Sequence, residues 1–159
     1  MDSNQLRLAI KVILTDLEVT TGIPCSDSAI ELLMLTAAVE TNCGEYIFQI
    51  GEGPARGIFQ MEPATEKDIW ENYIRYKDYR LALYNKYTNS LLAYHLDYAI
   101  VMTRIHYLRV KEPLPEADDI DGLANYWKEY YNTSAGKGTR AEARRKYLKY
   151  ASYLASKSF

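Results

Sequence analysis

Ala29-Ile30-Glu31-Leu32-Leu33-Met34-Leu35-Thr36-Ala37-Ala38-Val39-Glu40-Thr41-Asn42-Cys43-Gly44 is the stretch on which the fold turns. Ser28-x-x-Glu31 forms a capping-box pattern at its head, and Ile30, Leu33, Met34, Ala37 and Thr41 recur at helical spacing. A segment this apolar from Ala29 to Val39 predicts a central helix. Its expected end is near Asn42-Cys43-Gly44, where Gly44 can take a left-handed conformation.

Towards the N-terminus, Leu6, Ile10, Ile13 and Leu17 step by four, three and four, which predicts an amphipathic first helix closed by Gly22-Ile23-Pro24. Towards the C-terminus the pattern changes. Tyr46-Ile47-Phe48-Gln49-Ile50 and Ile58-Phe59-Gln60-Met61 are β-prone and flank the glycine-rich run Gly51 to Gly57, which predicts a small irregular hairpin. After Pro63 helical spacing returns. Thr65-x-x-Asp68 is a weaker start signal there, with Pro63 the alternative first-turn residue. Leu91, Tyr94, Tyr98, Val101, Ile105 and Leu108 predict a long helix to about Arg109, closed by Pro113 and Pro115. Ile120, Leu123, Trp127 and Tyr131 predict another. Thr139-x-x-Glu142 caps the last, with Ala143, Tyr147, Tyr150 and Leu154 on one face. The expected fold class is mainly α (α+β), one domain over residues 1–159, with the hairpin following the second helix.

The chain has 159 residues, 48% hydrophobic and 25% charged, with 8 Gly and 5 Pro, which excludes disordered and collagen-like sequence. No apolar run approaches the roughly 20 residues a membrane helix needs, so no stable membrane insertion is expected. Met1-Asp2-Ser3-Asn4-Gln5 shows no basic region followed by an apolar stretch, so no signal peptide is expected. A net charge of −2 argues against nucleic acid as a partner. Residues 137–159 nevertheless carry seven Lys/Arg against the single acid Glu142, either a solvated helix face or an attraction to an anionic polymer. Cys25 and Cys43 lack metal-ligand spacing and are expected as free thiols, and neither metal nor cofactor is expected. His95 and His106 read as packing or surface residues. Gly51-x-Gly53 and Gly136-x-Gly138 read as turns. The 15 tyrosines suit core edges and, equally, stacking on sugar rings.

Glu40 is the one carboxyl with an unusual setting. It ends an otherwise apolar helix just ahead of the β-prone segment, where desolvation and the negative end of the helix dipole both favour its protonated form. An acid held neutral near pH 6–7 is what glycosidic cleavage requires of a general acid.

Ala37-Ala38-Val39-Glu40-Thr41-Asn42, with Ala55-Arg56-Gly57-Ile58-Phe59-Gln60-Met61-Glu62-Pro63-Ala64-Thr65 downstream, resembles the signature of the lysozyme superfamily. The resemblance is nearest to the lytic transglycosylases and their phage-encoded relatives, in which a Glu-Ser pair precedes Gly-Leu-Met-Gln and Pro-x-Thr. Thr41 stands here for the Ser, and Gly57-Ile58-Phe59-Gln60 for Gly-Leu-Met-Gln. Weaker matches are Asp97-Tyr98-Ala99-Ile100 with Tyr107-Leu108, and Leu123-Ala124 followed by Tyr131-Asn132 and Gly136. Trp127-Lys128-x-Tyr130-Tyr131-Asn132-Thr133 and Gly136-Lys137-Gly138-Thr139 look like a phage cell-wall lysin.

The resemblance implies a lysozyme-like fold and cleavage of the β-1,4 bond between N-acetylmuramic acid and N-acetylglucosamine in peptidoglycan. Glu40 would be the catalytic acid and base, and Gly57, Gln60, Tyr131 and Asn132 would bind the glycan. In the transglycosylase version the carboxylate then helps the muramoyl 6-hydroxyl close a 1,6-anhydro ring. In the hydrolysing version a second carboxylate takes part, and Glu45, Glu52 and Glu62 are the candidates. The implied protein is a monomer found in a phage virion or host cytoplasm and acting on the periplasmic wall. Rivals from other classes are a non-catalytic virion or wall-binding protein of the same fold, and a helical adaptor, which would leave Gly57 to Thr65 unexplained.

Overall fold

The computed structural model describes residues 1–132 and 136–152, so the Thr133, Leu154 and Lys157 readings lie outside the described residues. Among those described, the chain is mainly helical, with α1 Ser3–Thr21, α2 Asp27–Thr41, α3 Pro63–Asn72, α4 Arg80–Tyr87, α5 Leu96–Leu108, α6 Ile120–Trp127 and α7 Arg140–Lys146. A 3-10 turn follows α3 at Ile74–Tyr76. Wide π turns extend α6 at Lys128–Asn132 and α7 at Tyr147–Ala151. No helix among the described residues is long and apolar enough to cross a membrane.

Helix α2 is the axis of the molecule. Every residue from Ala29 to Val39 is buried, and α1, α5, α6 and α7 pack around it, as expected of a helix apolar on all sides. Leu33, Met34, Leu35, Ala37 and Ala38 are wholly buried, so truncating Leu33 to Ala would cost about 2–5 kcal/mol. Its cap lies two residues earlier than the sequence suggests. The Ser26 hydroxyl, not that of Ser28, accepts from the Ala29 N–H at 3.1 Å. At the other end Asn42, Cys43 and Gly44 all have positive φ (51°, 59° and 92°), and Asn42 rather than Gly44 is the C-cap.

α1 ends at left-handed Gly22 as expected, with Leu6, Ile10, Leu14 and Leu17 buried and Ile13 at the edge. α3 starts at Pro63, whose ring sets the helical φ, so the Thr65 start signal is unused. α5 begins at Leu96 and not at Leu91. The His95 ring accepts the Leu91 N–H at 2.9 Å in a turn that leaves Leu91 and Tyr94 exposed. At α7 the Thr139 hydroxyl accepts from Glu142 N–H at 3.1 Å, as its spacing predicts.

The expected hairpin is instead a turn-rich loop. Its only pairings among the described residues are two isolated antiparallel bridges, Phe48 with Arg56 and Arg56 with Met61. Gly51, Glu52, Gly57 and Gln60 all have positive φ, and each breaks the pleat that a ladder needs. The loop is anchored at its base: the Thr41 hydroxyl donates to Ile58 O at 2.7 Å and Gly57 N–H to Ile47 O at 2.7 Å. This carries the loop back over the C-terminal end of α2, facing Glu40.

Candidate active site

A cleft of about 560 Å³ opens between this loop, the start of α3 and the turn after α6. Glu40 lines it, together with Gln60, Glu62, His106, Tyr131 and Asn132. The last turn of α2 delivers Glu40 to the cleft with its backbone fixed from both sides. The Tyr46 hydroxyl donates to Glu40 O at 2.6 Å, and Lys146 Nζ from α7 donates to Val39 O at 3.1 Å.

The Glu40 side chain keeps a narrow opening to solvent but is packed on most sides. Loss of solvation pushes its pKa from an ordinary 4.5 up to about 7; a hydrogen bond from Trp127 and the charge of Lys146 hold back part of that rise. The Trp127 indole N–H donates to Oε1 at 3.0 Å. Since an indole can only donate, Oε1 is the acceptor, and the proton of the neutral acid belongs on Oε2. The carboxyl therefore has one oxygen held and one free to act.

Tyr131 and Asn132 come from the π turn after α6. Tyr131 donates to Phe59 O at 2.5 Å, which ties the loop wall to the helical wall across residues 59 and 131. Its ring stacks on Tyr107 at 5.4 Å, and the Tyr107 hydroxyl in turn meets the Thr36 hydroxyl inside α2 at 2.8 Å. Burial holds the Tyr131 phenol well above its ordinary pKa, with the charge of Glu40 acting in the same direction, so it stays a neutral donor. The Asn132 amide oxygen accepts from Lys128 Nζ at 2.7 Å, and Lys128 also holds Gly136 O at 3.0 Å.

Gln60 sits at φ 49°, a left-handed conformation that costs a non-glycine residue about 1 kcal/mol, and its amide donates to Gly57 O at 2.9 Å. That strained position turns Gln60 into the cleft. Gly57 does not line it, contrary to the role expected of it. Gly57 is buried at φ 83°, and a Cβ there would lie 2.3 Å from Leu92 O, so the glycine serves close packing against Leu92 rather than access for a ligand.

Of the three candidate second carboxylates, Glu62 alone lines the cleft, exposed at its lip as the N-cap of α3. Glu45 is exposed and accepts from the Asn42 amide at 2.8 Å, and Glu52 is on the exposed loop tip.

Two residues were not identified from sequence as parts of the site. Trp127 reads there as a core residue, and its partner Glu40 is 87 positions away. His106 reads as a packing or surface residue, yet it lines the cleft with its ring edge-on to Tyr131 at 5.0 Å. Burial and the neighbouring Arg109 drive its pKa down to about 4. Its Nδ1 accepts from Arg109 at 2.8 Å, and Arg109 is paired with Asp68 at 2.7 Å, so His106 is a neutral wall rather than a charge. No signal in the sequence marks either contact.

Among the described residues no group of His, Cys, Asp or Glu could hold a metal ion. Cys25 and Cys43 are separate free thiols, and burial pushes that of Cys43 up to about 11. Chemically, the cleft offers one proton donor of near-neutral pKa, facing amide, phenol and carboxylate groups that can hold a polar ligand beside it. Compared with family models, with curated proteins and with solved structures, the chain finds no match.

Proposed function

We propose that the chain is a peptidoglycan-cleaving glycosidase of lysozyme-like fold, a phage-type lysin in which Glu40 is both acid and base. The observation that carries the reading is the state of Glu40: a carboxyl of pKa about 7, on the wall of a sugar-sized cleft, with one oxygen held by Trp127. Glu40 Oε2–H gives its proton to the oxygen of the muramoyl–glucosaminyl bond as the C1–O bond breaks. The new carboxylate is stabilised by the Trp127 N–H and the nearby charge of Lys146. It then takes the proton of the muramoyl 6-hydroxyl as that oxygen bonds to C1, so the acid is restored and no water is consumed. Gln60, Tyr131 and Asn132 would hold the acetamido and hydroxyl groups of the sugar.

A hydrolytic variant has one observation in its favour, namely that Glu62 lines the same cleft. A carboxylate there would steady the oxocarbenium-like sugar, or attack it, while water replaces the 6-hydroxyl. The basic α7 helix would aid a monomer in meeting the anionic wall. The rival of another class, a non-catalytic wall-binding protein, predicts that Glu40→Gln changes nothing.

The test is mass spectrometry of muropeptides after digestion by the parent, Glu40→Gln and Glu62→Gln. Anhydromuramoyl ends, about 18 Da lighter than hydrolysed ones because no water is added, are expected from the parent and from Glu62→Gln, and none from Glu40→Gln. Reducing ends that vanish in Glu62→Gln would establish the hydrolytic variant. Undiminished digestion by Glu40→Gln would overturn both. Because Glu40 must be protonated at the start, kcat/KM should fall as pH rises through about 7.

A further inference from the structure

α3 has two working faces. Its first turn gives Glu62 and Thr65 to the cleft, while Glu66 and Trp70 face a separate groove of about 430 Å³ whose other walls are Tyr84, Tyr87 and Tyr98. The polar tips in this groove are already tied together. The Trp70 indole donates to the Tyr98 hydroxyl at 2.9 Å, and that hydroxyl donates to Glu66 Oε2 at 2.5 Å. Burial pushes the Tyr98 phenol up, so it remains the donor to Glu66. The Tyr87 and Tyr98 rings pack at 5.5 Å, tilted by 40°. Tyr84 is different: it is 56% exposed on the rim, where core packing cannot account for it. These are tyrosines that the catalytic cleft does not use.

We infer that this groove is a second saccharide-binding site, which seats a sugar ring of the glycan class proposed for the cleft; the inference rests on that reading. Aromatic walls offer flat surfaces to the C–H faces of a sugar, and a carboxylate whose geometry is fixed offers an acceptor to its hydroxyls. Charge points the same way. Lys67 on the groove pairs with Glu71 at 3.9 Å, so an anion meets no bare cation, and the Glu66 carboxylate, bonded by the neutral Tyr98 hydroxyl, is left as an acceptor for a donor hydroxyl. A neutral polyhydroxylated ring fits that balance. With the two sites on adjacent sides of α3, the protein would hold a glycan beside the bond it cuts as well as at it.

The two tryptophans of the chain make the test direct, because Trp127 touches Glu40 and Trp70 lies on the groove. The full chain carrying Glu40→Gln, which cannot turn substrate over, is titrated with a tetramer of N-acetylglucosamine while the two indole N–H signals are followed by NMR. Both signals are expected to move, with separate dissociation constants. Tyr84→Ala, a change at an exposed rim, should weaken the Trp70 curve about 3–10-fold and leave the Trp127 curve unchanged. Movement of Trp127 alone would overturn the second site and leave the cleft reading standing. Silence at both would bring down the two together. A Trp70 signal that ignores the saccharide but answers an amine-bearing stem peptide, or one that Tyr84→Ala does not weaken, would also overturn the second site.

Discussion

Two glutamates on α2 meet opposite fates. Glu31, in the second turn, is 9% exposed and is held by Arg7 through two contacts, Nε to Oε2 at 2.9 Å and Nη2 to Oε1 at 2.8 Å. Tyr147 adds a third bond at 2.7 Å, and Arg7 itself reaches Ala151 O, so the group stitches α1, α2 and the C-terminal turn together. Glu40, in the last turn, has a single neutral N–H on one oxygen and a lysine close by that bonds elsewhere. One carboxyl has its charge matched by a guanidinium and becomes structure. The other has its charge suppressed by desolvation and keeps a proton to give. The residue type and the helix are the same; the partner decides the chemistry.

The contrast can be tested by exchanging what each carboxyl has. Glu40→Gln should reduce wall lysis about 10³-fold with the fold intact, measured as turbidity loss of a cell-wall suspension. Arg7→Met should leave Glu31 buried without its cation and lower stability by about 3–5 kcal/mol in urea titration. Adding Glu31→Leu should restore most of that loss, and a cost below about 1 kcal/mol for Arg7→Met alone would erase the contrast.

The stability effect of Glu40 has the other sign. Its folded pKa of about 7 is above the ordinary 4.5, so the folded chain binds the extra proton between those values. Its contribution is therefore undiminished below pH 4.5 and is lost as pH rises through 7. Glu40→Gln should then match the parent near pH 4 and exceed it by about 2–4 kcal/mol at pH 8, read from melting curves across pH. The smallest effect concerns the held oxygen. Trp127→Phe removes a hydrogen bond that favours the carboxylate, so the alkaline limb of kcat/KM should move up by about one unit or less.

What could be read from sequence follows the range of the interactions. α2 was legible because its apolar run is local, though its caps fell at Ser26 and Asn42 and not at Ser28 and Gly44, and Glu40 was legible because its oddity is local too. The hairpin was misjudged for a local reason as well. Tyr46 to Ile50 and Ile58 to Met61 have strand composition, but the positive φ at Glu52 and Gln60 belongs to residues that carry no glycine signal. The α5 start was overshot because Leu91 and Tyr94 continue a helical rhythm that the chain abandons at the His95 turn. Gly57 was expected beside a ligand and instead packs against Leu92, a neighbour too distant in sequence to be foreseen. Trp127 and His106 became visible only in three dimensions, where α6 and the end of α5 close on the cleft from behind.

The bond from Tyr131 to Phe59 has one more consequence. It pins the loop bank of the cleft to the helical bank across 72 positions of chain, so part of the ordering that a bound molecule would otherwise demand is already met before it binds.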